Sequence, residues 1–231
     1  MRASVFIPSI PEHLANVPEI LSAYESGSAQ PDEVVVMVSR ADEASAKELA
    51  NVKNYPWKRV RMIVRSERVF AGPARQMALK ECDGDIVLYQ DSDDLPHERR
   101  VQFAKHFFTV RDIKILNHSY FYRKQPTWPL VLEDVKSTEG DDLYKLYFPD
   151  GKVESCRKYC DCYGGGLPFP VHAGACCIRR EVLEEVKWKG PDELVFAPDP
   201  KHKTEDYEFC MEVLFKWNKS LVINCPLYFY S

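Results

Sequence analysis

The 231-residue chain is 45% hydrophobic, 29% charged and 12% aromatic, which suits one globular domain with a sizeable core. A net charge of −4 argues against a general nucleic-acid binder, which needs a basic face to neutralise phosphates. No apolar run approaches a membrane span and no signal peptide precedes the first strand-like run, so a cytoplasmic protein with no membrane span is expected.

In chain order, Ser4–Ile7 reads as a strand, followed by a helix carrying Leu14, Val17, Leu21 and Tyr24, with Pro18 near the start of its regular part. Glu33–Val38 is a continuous apolar run, typical of a strand covered on both faces. Asp42 to Val52 reads as a helix capped by Asp42 or Ser45, with Glu48 available to complete a capping box with Ser45. Val60–Val64 is a third strand, Pro73–Lys80 a helix and Ile86–Tyr89 a fourth strand. Pro96 is expected to open the next helix, with Phe103, Ala104, Phe107 and Phe108 on its apolar face. This alternation predicts a mostly parallel sheet with its ligand beyond the carboxyl ends of the strands.

The second half reads differently. Ile113–Tyr122, Pro129–Leu132 and Leu143–Phe148 are predicted strands, joined by polar loops, and 149–170 an irregular loop rich in Gly, Pro and Cys. Val171–Ile178 is a further strand, with a helix through Val182, Leu183 and Val186. Residues 189–203 read as a mobile connection, Thr204–Trp217 as a helix and Leu221–Tyr230 as the last strand. Of eight cysteines, Cys82, Cys176, Cys177, Cys210 and Cys225 sit in apolar surroundings and are expected as buried thiols. Cys156, Cys160 and Cys162 lie close together, but no second Cys-x-x-Cys pair accompanies them, so reduced thiols are expected in place of zinc or a disulfide.

The chemistry is concentrated where the fourth strand ends, in Asp91-Ser92-Asp93-Asp94. Carboxylates so close repel unless a cation or several donors hold them, and Mg²⁺ or Mn²⁺ suits such oxygen ligands. The plain alternative is a solvated turn with Asp94 capping a helix.

Three patterns in this order resemble the GT-A glycosyltransferases, specifically the family 2-like inverting enzymes. They are Gly72-Pro-Ala-Arg75-Gln-Met-Ala78 with Gly84-Asp85 and Asp91-Ser92-Asp93-Asp94, then His172-Ala-Gly174-Ala-Cys-Cys-Ile178-Arg179-Arg180, then Thr204-Glu205-Asp206. The resemblance runs from about Ala3 to Tyr230 and is weakest over 125–170. It implies a single α/β GT-A domain, with a nucleotide-sugar-binding half at about 1–110 and an acceptor half at about 111–231.

The resemblance further implies metal-dependent, inverting transfer of a sugar from a nucleotide-sugar, UDP-sugar favoured, to a hydroxyl of a glycan or other acceptor. Asp93 and Asp91 would hold Mn²⁺ or Mg²⁺, and Pro8, Ser9, Ser39, Gly72, Arg75, Asp91 and Ser92 would contact the donor. Glu205, His172 and Gly174 would lie on the acceptor side, with Asp206 as the base. Arg75 also reads plainly as a surface ion pair, and Asp206 as a helix-dipole partner. Tyr120, Phe121, Tyr122, Trp128 and Tyr163 offer either core filling or an acceptor shelf.

Two departures stand out. The aspartate pair that relatives carry after the second strand, where it helps read the nucleobase, is replaced by Val38 and Ser39, with Asp42 close by. The metal-site histidine of many relatives lies beyond the last strand; here His172, His202 or water are the candidates for that place. The rival readings are a nucleotidyltransferase, which would want a Gly-rich, basic phosphate loop where this chain has Pro8-Ser9-Ile10-Pro11, and a non-catalytic module of the same fold that binds glycan or nucleotide-sugar.

Overall fold

The computed structural model describes residues 1–122, 132, 135–147, 173–194 and 205–230. The strands are β1 (Ala3–Ser9), β2 (Glu33–Val38), β3 (Val60–Val64), β4 (Ile86–Tyr89), β5 (Leu95–Pro96), β6 (Ile115–Tyr122), β7 (Ser137–Glu139), β8 (Cys176–Arg179) and β9 (Ser220–Tyr230). The α-helices are α1 (Val17–Ser26), α2 (Ala46–Lys53), α3 (Ala71–Gln76), α4 (Ala78–Glu81), α5 (Arg100–Val110), α6 (Gly140–Tyr147), α7 (Val182–Glu185) and α8 (Glu205–Trp217).

Among the described residues, one nine-stranded sheet runs β3-β2-β1-β4-β8-β6-β9-β5, with β7 added beside β9. Strands β1 to β4 are mutually parallel, β6 pairs parallel with β9, and β8, β5 and β7 run against their neighbours. The sheet is therefore mostly parallel, as its strand–helix alternation predicts.

Alternation along each strand divides the core into two layers. Val34, Val36 and Val38 face a layer with α1, α2 and α5, whereas Val35 and Met37 face α3, α4, α7 and α8. That is why β2 is apolar from Val34 to Val38: neither face meets water there. On α1, Val17, Ile20, Leu21 and Tyr24 are buried, and each such side chain stabilises by about 2 kcal/mol relative to exposure. Asp42 caps the turn before α2 through a box closed by Ser45, not by Glu48: the Ser45 amide donates to Asp42 Oδ1 at 3.0 Å.

Two expected elements are corrected. Leu143–Phe148 is not a strand; Gly140–Tyr147 is helical, with Asp141 and Asp142 favourably placed in the first turn. Its Leu143 is buried in the α8 layer, and Tyr144 stacks on Phe215 of α8 with centroids 6.1 Å apart. Pro96 does not open a helix either. It ends β5, paired antiparallel to β9, and α5 starts only at Arg100. A proline is tolerated there because β5 is the last strand in the sheet order and needs no second hydrogen-bonded neighbour.

The Val171–Ile178 strand is also shorter than expected, since Ala173–Ala175 is a 3-10 turn and β8 starts at Cys176. The five cysteines expected inside are buried free thiols. Cys156, Cys160, Cys162, His172, His202, Trp128, Tyr163 and the expected strand from Pro129 as far as residue 131 lie outside the described residues, as do the side chains of Tyr120, Phe121 and Tyr122. No helix among the described residues is long and apolar enough to cross a membrane.

Candidate functional site

The carboxyl ends of β1, β2 and β4 open into a cleft of about 280 Å³. Its lining includes Pro8, Ser9, Ser39, Arg75, Asp91, Ser92 and Asp93. The sequence alone did not single out Ile10, His13, Met37, Val69, Ala71 and Ala74, which complete the lining. This is the position the alternating α/β pattern assigns to a ligand.

The loop from Asp91 to Asp94 is held from beneath. Gln90 is fully buried, and its Nε2 donates to the carbonyls of Asp91 and Asp94, each at 2.9 Å. Its Oε1 accepts from Tyr24 at 2.9 Å and from Arg100 at 2.6 Å. Arg100, also fully buried, donates further to the carbonyls of Tyr89 and Gly174 and to His118 Nε2. From above, His13 Nδ1 meets Ser92 Oγ at 3.2 Å and Asn16 donates to the Ser92 carbonyl at 3.4 Å. Buried, multiply satisfied polar groups of this kind fix one geometry. Asp94 is buried beneath the loop and precedes a strand, so it caps no helix.

Arg75 joins the two halves of the site. Its side chain is 6% exposed, which excludes the surface-pair reading. Nη2 lies 2.9 Å from Asp91 Oδ1, and Nη1 lies 2.9 Å from Glu205 Oε1 and 3.4 Å from Asp206 Oδ1. Burial by itself would lower the guanidinium's pKa, but Asp91, Asp206 and Glu205 more than offset this and raise it. The group is thus held charged. Its Nε is buried and has no hydrogen-bond partner among the described residues.

Asp206 stands in the first turn of α8, and its second oxygen accepts from the Ala173 amide at 2.9 Å. Gly174, in the same 3-10 turn, is buried and bound through its carbonyl to Arg100. The structure therefore brings Arg75, Asp91, Glu205, Asp206 and the 173–175 turn together. Gly72 lies apart from the cleft lining: a Cβ there would stand 2.0 Å from the Lys189 carbonyl oxygen.

At the far end of the cleft, Ser39 follows β2 where an aspartate was looked for, and its hydroxyl donates to the Val69 carbonyl at 3.5 Å. The next residue, Arg40, takes a left-handed φ of 58° and pairs with Glu12 at 2.6 Å. Asp42 is engaged in its cap and does not line the cleft.

Asp93 is exposed at the cleft, and Asp91, whose Oδ1 pairs with Arg75, is partly exposed beside it. No group of three His, Cys, Asp or Glu side chains among the described residues could hold a metal by itself. Two carboxylates with the remaining places left to water and a phosphate ligand is a usual arrangement for Mg²⁺, so the donor set fits a cation shared with a substrate.

By sequence, the Glycosyl transferase family 2 profile matches residues 4–187. By fold, the chain is similar to S. aureus TarS 1–349, at 17% identity and a TM-score of 0.67, over 100% of this chain and 60% of that one. TarS 1–349 in complex with UDP-GlcNAc gives 17% identity and a TM-score of 0.65, over 100% of this chain and 58% of that one. Glucosyl-3-phosphoglycerate synthase from Mycobacterium tuberculosis, in complex with Mg²⁺ and UDP, gives 18% and 0.59, over 98% of this chain and 69% of that one. The chain thus spans about 60% of the length of TarS 1–349. No curated protein matches it significantly by sequence.

Proposed function

The chain belongs to glycosyl transferase family 2 and has the GT-A fold, and from that premise we propose that it is a metal-dependent, inverting glycosyltransferase. It moves a sugar from a nucleotide-sugar, UDP-linked by preference, to a hydroxyl of a glycan or other acceptor. The observation that carries this reading is the Arg75 bridge, which ties the cleft carboxylate Asp91 to the α8 carboxylates Glu205 and Asp206. A donor site and a candidate base therefore share one buried cation. The complexes of TarS with UDP-GlcNAc and of the M. tuberculosis synthase with UDP support a UDP-linked donor.

In this reading the donor lies along the cleft, its nucleoside toward Ser9, His13 and Ser39 and its diphosphate toward Asp91, Ser92 and Asp93. Asp93 and Asp91 hold Mg²⁺ or Mn²⁺. Bound there, the cation supplies Lewis-acid stabilisation of the charge that collects on the departing diphosphate. Arg75 lines the cleft and adds positive charge beside the donor. Asp206 takes the proton from the acceptor hydroxyl as that oxygen attacks, since a neutral alcohol is a poor nucleophile. A single displacement of this kind inverts the anomeric centre.

A thermal-shift screen of UDP-, GDP-, dTDP- and CMP-sugars, each with and without Mn²⁺, tests the reading. A donor at a hundred times its Kd stabilises by about 2.7 kcal/mol, which is readily seen. The expected result is a Mn²⁺-dependent shift with UDP-sugars that D93A loses. No shift with any donor, or one that D93A leaves intact, counts against it.

A further inference from the structure

We infer that Trp188 is a positioning residue that holds the Arg75 guanidinium in register with Glu205 and Asp206, and so sets the geometry of the transfer proposed above, on which reading this inference rests. Arg75 sits on a short helix, Asp91 follows a strand, and the two α8 carboxylates come from a third element. A bridge among three elements keeps its geometry only if something fixes them to one another.

Trp188 is 3% exposed and touches all three. Its indole stacks on Phe209 of α8 with centroids 4.0 Å apart and planes 6° from parallel. Phe209 lies one helical turn beyond Glu205, so the stack fixes the end of α8 that bears the carboxylates. The same ring lies 5.2 Å from the Arg75 guanidinium carbon, within cation–π range. Its Nε1 donates to the Tyr89 hydroxyl at 3.1 Å, and that hydroxyl donates to the Arg75 carbonyl at 3.2 Å.

The segment carrying the indole is itself pinned. The Trp188 amide donates to Gln76 Oε1 at 2.9 Å, next to Arg75 in sequence. Lys189 reaches Glu208 at 2.5 Å and also bonds Glu212, both on α8. The Lys189 backbone in turn presses on Gly72 of α3. Trp188 thus stands where the arginine helix, the strand leading to Asp91 and the acid-bearing helix meet. A residue that merely fills the core would not need the indole nitrogen, the ring face and the backbone amide all aimed at these elements.

The test compares W188L, W188F and wild type by transfer kinetics and by NMR of the Arg75 guanidinium, whose rotation about Nε–Cζ is slow while it is clamped. W188L should lower kcat about tenfold or more, with donor KM changed less than about twofold, because misplacement near the reacting groups acts mainly on the transition state. W188F, which keeps a ring on Phe209 and beside Arg75, should restore most of kcat. In an R75K background W188L should cost little more, since the element it positions is already altered.

An unchanged kcat in W188L, or the same loss again in R75K, overturns the inference. If wild type transfers no sugar from any nucleotide-sugar, the functional reading fails. The inference is then read from NMR alone: W188L must free the guanidinium, and unchanged rotation overturns it. Should W188L not fold, Q76A, which removes the acceptor of the Trp188 amide together with the bond from Gln76 Nε2 to the Leu183 carbonyl, must shift kcat or guanidinium rotation in the same direction, and no change in either overturns it.

Discussion

Arg75 Nη2 stands 2.9 Å from Asp91 Oδ1 in a pair that is almost wholly buried on the arginine side, and the other arm of the same fork serves two carboxylates of α8. Removing the cation leaves three converging carboxylates without their counter-charge. R75M should therefore destabilise by about 3 kcal/mol, measured by urea unfolding, because breaking a buried pair costs more than the pair contributes. R75K should recover only part of this, since an ammonium cannot present two parallel arms. Equal stability of R75M and wild type would show that the bridge is incidental.

Gly72 is required by a close backbone approach. A Cβ at this position would meet the Lys189 carbonyl oxygen at 2.0 Å and its carbon at 3.0 Å, and neither atom is the movable end of a side chain. G72A should cost about 2 kcal/mol through overpacking, a fall in Tm of about 4–8 °C for a domain of this size. An unchanged Tm would mean that the Lys189–Gly190 segment yields freely.

The parallel part of the fold was legible because its strands are short apolar runs between helical periods, and Glu33–Val38 declared itself buried on both faces. The helix Gly140–Tyr147 was not, because Leu143, Tyr144, Leu146 and Tyr147 crowd apolar and aromatic residues that also suit a strand. What decides it is packing against α8, a tertiary contact with no local trace. The site divides in the same way. Asp91, Asp93 and Asp206 stood out by motif and position, whereas the Arg75–Asp206 contact spans 131 residues of sequence. Arg100 reads as an ordinary charge at a helix start, yet among the described residues it is the largest fully buried side chain. Trp188 carries no motif at all.

His97 is buried, stacks against Phe229 and accepts the Arg99 amide on Nδ1 at 3.1 Å. Burial, aided by Arg99 and opposed by Glu98, lowers its pKa below the usual 6.5. As pH falls through 6.5 the unfolded chain takes up a proton that the folded chain still refuses, so stability drops until the folded pKa is passed. The contribution is at most about 1.4 kcal/mol per pH unit. H97N, which keeps an acceptor for the Arg99 amide, should flatten this part of the stability profile between pH 7.5 and 5.5. A profile as steep as that of wild type would assign the slope to other groups.

The role of Asp206 can be separated from its part in the bridge by its neighbour. Glu205 and Asp206 both pair with Arg75, at 2.9 and 3.4 Å, so neutralising either one removes a negative charge from the same guanidinium. Asp206 alone also receives the Ala173 amide, which aims its carboxylate at the turn beside the expected acceptor side. If Asp206 is the base, D206N should reduce transfer by about 10²–10⁴-fold while donor affinity changes little, since the donor contacts lie across Arg75. E205Q should cost far less, because it disturbs the bridge without removing the proton acceptor. Comparable losses in the two variants would mean that charge balance around Arg75, and not proton transfer, is what α8 contributes to the reaction.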